Sequence, residues 1–167
     1  MAQKDAELLE RFKQKLHFTG EVKLFTTQHG DDKCRLTITD KQLIESLSRF
    51  NIVRNKTFIY HMPEIPEEYI GDFLRGYFDG DGWVSKNGSQ ISIVSASEYF
   101  AAGLTQLFIK YNIKYTQYYD KRKQHILYDI RLTSQTEIKK FYHLLYDNCE
   151  DKLYLVRKKE RFNSLFE

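Results

Sequence analysis

The residues with the clearest capacity for chemistry are two carboxylates in one glycine-rich tetrapeptide, Asp79-Gly80-Asp81-Gly82. A helix ending here would already place partial negative charge beside them, so the two carboxylates are electrostatically unfavourable. A divalent cation would relieve that conflict, because carboxylate and main-chain oxygens are the ligands that Mg²⁺ prefers. Asp-Gly pairs are also common turn formers. The tetrapeptide therefore predicts a magnesium site, an ordinary turn, or a turn that holds a site.

A helix with an apolar stripe is predicted directly before the tetrapeptide. It begins at Pro66, and its stripe comprises Ile70, Phe73, Leu74, Tyr77 and Phe78. Gly76 and Gly80 lie four residues apart and so share one side of this helix. Each interior glycine costs about 0.5 to 1 kcal/mol relative to alanine, so close approach of a second helix is a good reason to accept both. Two such helices would bring their acidic ends together, where metal ions could activate water at a phosphodiester bond.

Periodicity and capping residues predict the elements that must position this helix. Before it we expect a helix over 5–16, strands over 20–28 and 34–38 joined by a turn at 29–32, and a helix from the caps Thr39 and Asp40 to Phe50. After it, Asn87-Gly88 predicts a hairpin of strands 83–85 and 90–94. Further helices are predicted over 97–111, 134–146 and 153–166, and further strands over 113–119 and 126–132.

The order helix, strand, strand, helix occurs twice, which indicates an internal repeat. Arg35-Leu36-Thr37 recurs as Arg131-Leu132-Thr133 at an offset of 96 (131 minus 35), whereas matching Ile44 to Ile138 gives 94 (138 minus 44). Chance similarity between short apolar segments is the alternative; we favour duplication. The segment from Pro66 to about Ser95 has no counterpart before Asp5. We therefore predict a partial copy at 1–65 and a complete copy at 66–167.

Composition excludes several classes of protein. The length of 167 residues suits one ordinary domain, and the two cysteines, Cys34 and Cys149, have no metal-ligand or redox spacing. The five histidines have no zinc-ligand spacing, and the residues at 83 and 84 do not continue an EF-hand loop. The charged first twenty residues and the absence of a long apolar run predict a soluble, cytoplasmic protein without membrane contact.

The stretch from Ile70 to Val84, which contains Leu74-Arg-Gly-Tyr-Phe-Asp-Gly-Asp-Gly82, resembles the motif helix and following strand of LAGLIDADG homing endonucleases. Asn55 to Thr57, with Pro63 and Pro66, resembles the approach to a second motif in double-motif members, whose genes lie in introns, inteins and phage genomes. The resemblance implies an α+β fold: an αββαββα unit with an antiparallel DNA-binding sheet, in one complete copy plus a partial N-terminal copy.

The resemblance also implies an activity and its residues. Asp81 would be the catalytic, metal-binding acid, Gly80 would offer its main-chain carbonyl to Mg²⁺ or another divalent cation, and Leu74, Gly76 and Asp79 would form the helix interface. The family uses a basic residue near the scissile phosphate, for which the candidates are Lys33, Lys41 and Arg131.

The resemblance further implies that the hairpins contact double-stranded DNA, as they do in this family. Their residue types suit that role, since Lys and Arg read guanine or phosphate and Gln and Asn read adenine. The expected DNA-binding residues are Lys23, Gln28, Lys33, Arg35, Lys86, Asn87, Gln90, Ser92, Gln117, Tyr119, Lys121, Arg122, Lys123, Gln124 and Arg131.

One motif supplies only one acidic site and leaves its helix without a partner. We therefore expect a homodimer or a separately encoded N-terminal half. Three hypotheses stand at this point: an active site-specific DNA endonuclease of a mobile genetic element, a non-cleaving DNA-binding or maturase-like module, and an inactive remnant.

Overall fold

The structure, a computed structural model, describes residues 1–50, 52, 57–121, 125–149 and 151–166. The N-terminal part contains helix α1 (Ala6–Lys15), strands β1 (Lys23–Thr26) and β2 (Asp32–Arg35), and helix α2 (Lys41–Arg49). The remainder contains α3 (Ile70–Asp81), β3 (Gly82–Val84), β4 (Ile91–Ser95), α4 (Glu98–Lys110), β5 (Thr116–Asp120), β6 (Leu127–Leu132), α5 (Gln135–Tyr146) and α6 (Val156–Lys159).

Residues 70–146 form the predicted αββαββα unit, and the α+β fold is confirmed. Strands β3 to β6 make one antiparallel sheet in the order β3-β4-β6-β5. In its centre Ile93 pairs with Ile130, and both side chains point into the core beneath the helices. Side chains one residue along each strand point to the opposite face, which we call the outer face. The alternation thus separates the core from a surface that is available to a ligand.

Capping side chains fix two helix starts as predicted. The Asp40 carboxylate accepts a hydrogen bond from the Leu43 N–H at 2.7 Å at the start of α2, and the Ser97 hydroxyl accepts one from the Phe100 N–H at 3.3 Å at the start of α4. Pro66 precedes one 3₁₀ turn, Glu67–Tyr69, which leads into α3. The α3 helix continues through Asp81, so Asp79 and Gly80 lie inside its last turn and not in a loop after it.

Several predicted boundaries are wrong, among them those of β1, which spans Lys23–Thr26 and not 20–28, and the end of β2, which lies at Arg35 and not at 38. Strand β2 begins at Asp32, which the sequence placed in the turn, because the Thr26 hydroxyl donates to the Asp32 carboxylate at 2.8 Å and the turn closes at Thr27 and Asp31. The predicted last helix, 153–166, is α-helical only over α6 and continues as a 3₁₀ helix, Glu160–Leu165.

The N-terminal elements repeat the order of α4, β5, β6 and α5. The ends of α1 and α4 also match in detail: His17 and Asn112 have φ of 51° and 52°, and both follow a helix whose last N–H groups bond back to the same relative carbonyls. Burial differs sharply, however. Helices α4 and α5 each bury five side chains, whereas α1 and α2 bury none. The N-terminal elements therefore lack the cover that the complete unit has.

Among the described residues, no helix combines the length and the apolar character that crossing a bilayer requires.

Candidate active site and nucleic-acid interface

Helix α3 has one buried and one open face. Ile70, Leu74 and Phe78 point into the core, where Phe78 packs edge-on against Phe141 of α5 with ring centroids 5.4 Å apart. The opposite face carries Gly76 and Gly80, and a Cβ built on either residue would have no heavy atom within 4 Å. Packing within the described part of the chain therefore does not require a glycine at either position.

Gly71 provides an internal comparison. A Cβ built on it would lie 2.6 Å from the main-chain oxygen of Leu144, so the close approach of α5 requires that glycine. Gly76 and Gly80 have no such neighbour, although a helical glycine has an energetic cost. Their open face borders a groove of about 840 Å³, whose lining includes Phe73 and Tyr77 of α3, Phe12 of α1, and Tyr60. The groove is mainly apolar and lies beside the glycine face, so it could receive another helix.

Leu74 and Asp79 do not lie on this open face, which corrects the expected interface. Leu74 is 2% exposed in the core, and Asp79 is buried with one carboxylate oxygen accepting the Leu155 N–H at 2.8 Å. Burial raises the pKa of Asp79, while the Leu155 N–H and the Lys158 ammonium oppose that rise. Both residues were placed correctly on the helix but on the wrong side, because a partial apolar stripe cannot distinguish an internal from an external neighbour.

Asp81 lies at the C-terminal end of α3, at the border of the groove, and is exposed. Its carboxylate makes no hydrogen bond or ion pair with any described residue. Gly80 precedes it in the last turn and is also exposed. A free carboxylate beside an accessible carbonyl is a suitable donor pair for a hard cation. The described residues contain no group of three or more His, Cys, Asp or Glu that could hold a metal.

Lys158 of α6 is a functional candidate that is not among the residues predicted from the sequence. Its ammonium donates to the main-chain carbonyls of Phe78, Asp79 and Gly82 at 2.5, 2.9 and 2.6 Å, around the end of α3. The residue is only 6% exposed, and burial lowers the pKa of Lys158 to about 8, although Asp79 and Asp81 oppose that shift. A buried cation at this position neutralises the negative end of the helix dipole.

The expected basic candidates lie elsewhere. Lys33 pairs with Asp31, Lys41 is exposed in the first turn of α2, and Arg131 pairs with Asp129. A signal for Lys158 does exist in the sequence. It shares one helical face with Leu155 and Phe162, both buried, so a lysine occupies a position where the pattern demands an apolar side chain.

The outer face of the four-stranded sheet carries part of the expected DNA-binding set. Trp83, Ser92, Arg131 and Thr116 lie in one row across β3, β4, β6 and β5. Trp83 is 48% exposed, while Ser92 is buried because its hydroxyl donates to Asp129 at 2.6 Å. Gln90, just before β4, shares this face by alternation, and Lys86 and Asn87 lie in the hairpin turn.

Gln117 and Tyr119 lie on the wrong face of the sheet for that set. Gln117 pairs with Ile130, whose side chain is buried under the helices, so both β5 residues point toward α4. There they line a cavity together with Lys121 and Glu98. Alternate residues of a strand point to opposite faces, and the prediction did not take this alternation along β5 into account. Arg122, Lys123 and Gln124 were also expected to contact DNA and lie outside the described residues.

The β1–β2 hairpin presents a basic face. Lys23 pairs with Arg35 and Phe25 pairs with Lys33, so all four side chains share one side, opposite the buried Cys34. The guanidinium of Arg35 lies 5.4 Å from the centre of the Phe25 ring. The structure thus brings together Lys23, Lys33 and Arg35 as one cationic patch, with Gln28 in the turn beyond β1.

Comparison with known proteins gives two findings. Residues 68–146 match the LAGLIDADG-like domain family. The chain is also 32% identical over 79 residues to a protein of Methanocaldococcus jannaschii named probable translation initiation factor IF-2, and 39% identical over 64 residues to one of the same name from Thermococcus kodakarensis. These alignments cover 47% and 36% of this chain but only 6% of each relative.

Proposed function

We propose, from the match of residues 68–146 to the LAGLIDADG-like domain family, that the chain is part of a site-specific, metal-dependent double-strand DNA endonuclease of the LAGLIDADG homing type. The observation that carries the proposal is the end of α3, where the free carboxylate of Asp81 borders a helix face with two glycines and no internal neighbour. We place its activity in the cytoplasm, on the DNA that hosts a mobile genetic element.

In the proposed mechanism Asp81 and the Gly80 carbonyl would hold a divalent cation, and a second motif helix on the glycine face would supply the matching acid. The chemistry supplied by such a cation would be activation of water and stabilisation of the departing phosphodiester oxygen. Lys158 fixes the carbonyls of Phe78, Asp79 and Gly82, so it holds the end of the helix in one geometry. The outer sheet face and the β1–β2 hairpin bind the DNA and set its register on the protein.

The second motif helix is best supplied by a helix–hairpin segment that is not among residues 1–167. In the complete unit, helix α3 covers α5 and α4. Phe78 contacts Phe141, and the Tyr77 ring stacks on the Phe100 ring with ring centroids 4.2 Å apart. The N-terminal elements have no such helix, and Ile44 of α2 is 55% exposed, whereas Ile138, the matching residue of α5, is 0% exposed. A helix followed by a hairpin, like residues 66–95, would cover both α1 and α2.

A homodimer satisfies only part of this requirement. In a second copy, α3 already buries Ile70, Leu74 and Phe78 against its own core, so only its glycine face is available. That face could meet the glycine face of the first copy, but Ile44 and its neighbours on α2 would stay exposed. We therefore propose a helix–hairpin segment that is not among residues 1–167 as the partner.

The initiation-factor names of the relatives are not carried over to this chain. Because the alignments cover 6% of those proteins, we attribute the similarity to a LAGLIDADG unit inserted in a longer chain, as in intein-encoded endonucleases, and not to a role in translation.

The test is cleavage of a randomised DNA library, or of DNA lacking the host element, in the presence of Mg²⁺. We expect double-strand cutting by the assembled wild-type protein and a loss of at least about 100-fold in Asp81→Asn, because the carboxylate would be a metal ligand. Asp147→Asn is the matched control, since Asp147 is exposed at the end of α5 and does not line the groove that Asp81 borders.

Equal cutting by wild type and Asp81→Asn would contradict the assignment of Asp81. DNA binding without cutting in both would favour the non-cleaving, maturase-like module, and neither binding nor cutting would favour the inactive remnant.

A further inference from the structure

Arg131, near the centre of the outer sheet face, contacts Asp129 and Tyr118, and Ser92 in turn fixes Asp129. Its Nε donates to one oxygen of Asp129 at 2.7 Å, and its Nη2 forms an ion pair with the same oxygen at 2.5 Å. The other Asp129 oxygen accepts from the Ser92 hydroxyl at 2.6 Å, so the carboxylate is itself fixed. The guanidinium lies 4.7 Å from the centre of the Tyr118 ring. A long, flexible side chain is thereby preorganised in one position.

This arrangement leaves one edge of the guanidinium free. Of its five N–H groups, Asp129 engages the Nε side, and the Nη1 group has no hydrogen bond within the described part of the chain. The Arg131 side chain is 38% exposed, so the free edge faces solvent on the outer face. A planar pair of donors matches two acceptors in one plane, and in the DNA major groove that pattern belongs to guanine N7 and O6.

The charge of the pair argues against a phosphate contact. Asp129 neutralises Arg131, and its carboxylate would repel a nearby phosphate. We therefore propose that Arg131 reads a guanine of the target site and that Asp129 is its positioning residue; this inference rests on the proposed DNA-binding function.

The N-terminal hairpin contains a matched comparison. Arg35 occupies the same place on β2, paired with Lys23 and stacked on Phe25, as Arg131 does on β6 with Thr116 and Tyr118. Where Arg131 has Asp129, Arg35 has Lys33 two residues before it, and no described carboxylate pairs with Arg35. An arginine without charge compensation beside two lysines suits phosphate contacts.

The two roles predict different responses in DNA binding. We would select from a randomised duplex library in EDTA, and measure affinity against salt concentration, for the full chain and three variants. Arg131→Gln should lose the preference for guanine at one position of the site by about 10- to 100-fold, with an unchanged salt slope. Arg35→Gln should keep the sequence preference and lower the magnitude of the salt slope by about 1.

Asp129→Asn separates positioning from general structural damage. It should weaken the guanine preference yet strengthen binding to unrelated DNA, because it releases Arg131 and removes a negative charge; simple misfolding would weaken both. An unchanged base preference in Arg131→Gln, with wild-type binding intact, would overturn this inference alone. No sequence-dependent binding by the wild type would overturn it together with the proposed DNA-binding function.

Discussion

At the scale of single residues, the chain places a buried ammonium and a buried carboxylate beside the proposed metal site. Lys158 contacts three carbonyls at the end of α3, and Asp79 accepts the N–H of Leu155 from the same C-terminal segment. Removing one member of a buried charge pair leaves the other uncompensated, which costs far more than a surface pair contributes. The two residues therefore attach the C-terminal segment to the active-site end of α3.

Lys158→Met should lower the free energy of unfolding by about 3 to 5 kcal/mol, since it removes a buried cation near Asp79 and takes one donor from each of three carbonyls. Urea denaturation followed by circular dichroism measures this. Lys159→Met is the control, because the Lys159 ammonium lies 4.5 Å from the Tyr154 ring centre and makes one long hydrogen bond, 3.5 Å, to the Tyr154 hydroxyl, so its loss should cost about 1 kcal/mol or less. Equal losses in both variants would contradict the capping role of Lys158.

At the scale of elements, the start of α5 is attached to the segment that leads into β5. The Glu137 carboxylate accepts the Lys114 N–H at 2.7 Å, and the Lys140 ammonium donates to the Asn112 carbonyl at 2.6 Å. The Lys114 N–H, followed by Lys140, lowers the pKa of Glu137. These bonds fix the β5–β6 hairpin against α5 and so fix the angle of the outer sheet face.

The pH dependence of stability should report this contact. Because the folded-state pKa of Glu137 is lowered, its contribution is fully present above its unfolded-state value of about 4.5 and is lost as pH falls through the folded-state value. Glu137→Gln should therefore destabilise the protein by about 1 to 3 kcal/mol at pH 7, and by much less at pH 3. Urea titrations at both pH values measure this; a constant difference would contradict the electrostatic origin.

At the scale of the whole molecule, a complete unit and an uncovered partial unit lie in one chain. Ion pairs join them: Arg157 of α6 contacts Asp5 at 3.0 Å, and Lys15 at the end of α1 contacts Asp151. These contacts hold α1 beside α6, yet α1 and α2 bury no side chain. Their apolar residues are therefore positioned for cover by a partner.

The partner proposal predicts the effect of restoring that cover. A copy of residues 64–92 fused before Met1 would continue into Met1 and Ala2, which already pair with Cys34 and Lys33 of β2 as Ile93 and Val94 pair with Ile130 and Asp129. We expect a higher melting temperature and slower amide exchange in α1 and α2.

The control for this fusion carries Leu74→Asn and Phe78→Asn in the added copy, which removes the apolar face while keeping its length. Light scattering on the unfused chain provides the opposing outcome. A stable homodimer whose α1 and α2 amides are already protected would contradict the need for a separate half.

The sequence alone predicted the order of the elements and offered residues 74–82 as a candidate metal site, because helix and strand periods, caps and turn residues act over a few positions. It placed Asp81 at a helix end, and it indicated two copies of one order of elements. These features need no knowledge of distant neighbours.

Only the tertiary structure decided which face each residue occupies. Leu74 and Asp79 point inward and Gly76 outward, since that depends on where α5 and the C-terminal segment pack. Lys158 lies 77 residues after Asp81 (158 minus 81) and reaches the same helix end through folding alone. Likewise, the pairing of β5 with β6 put Tyr118 beside Arg131 and Asp129 and turned Gln117 to the opposite face. No local sequence pattern predicts the register between paired strands.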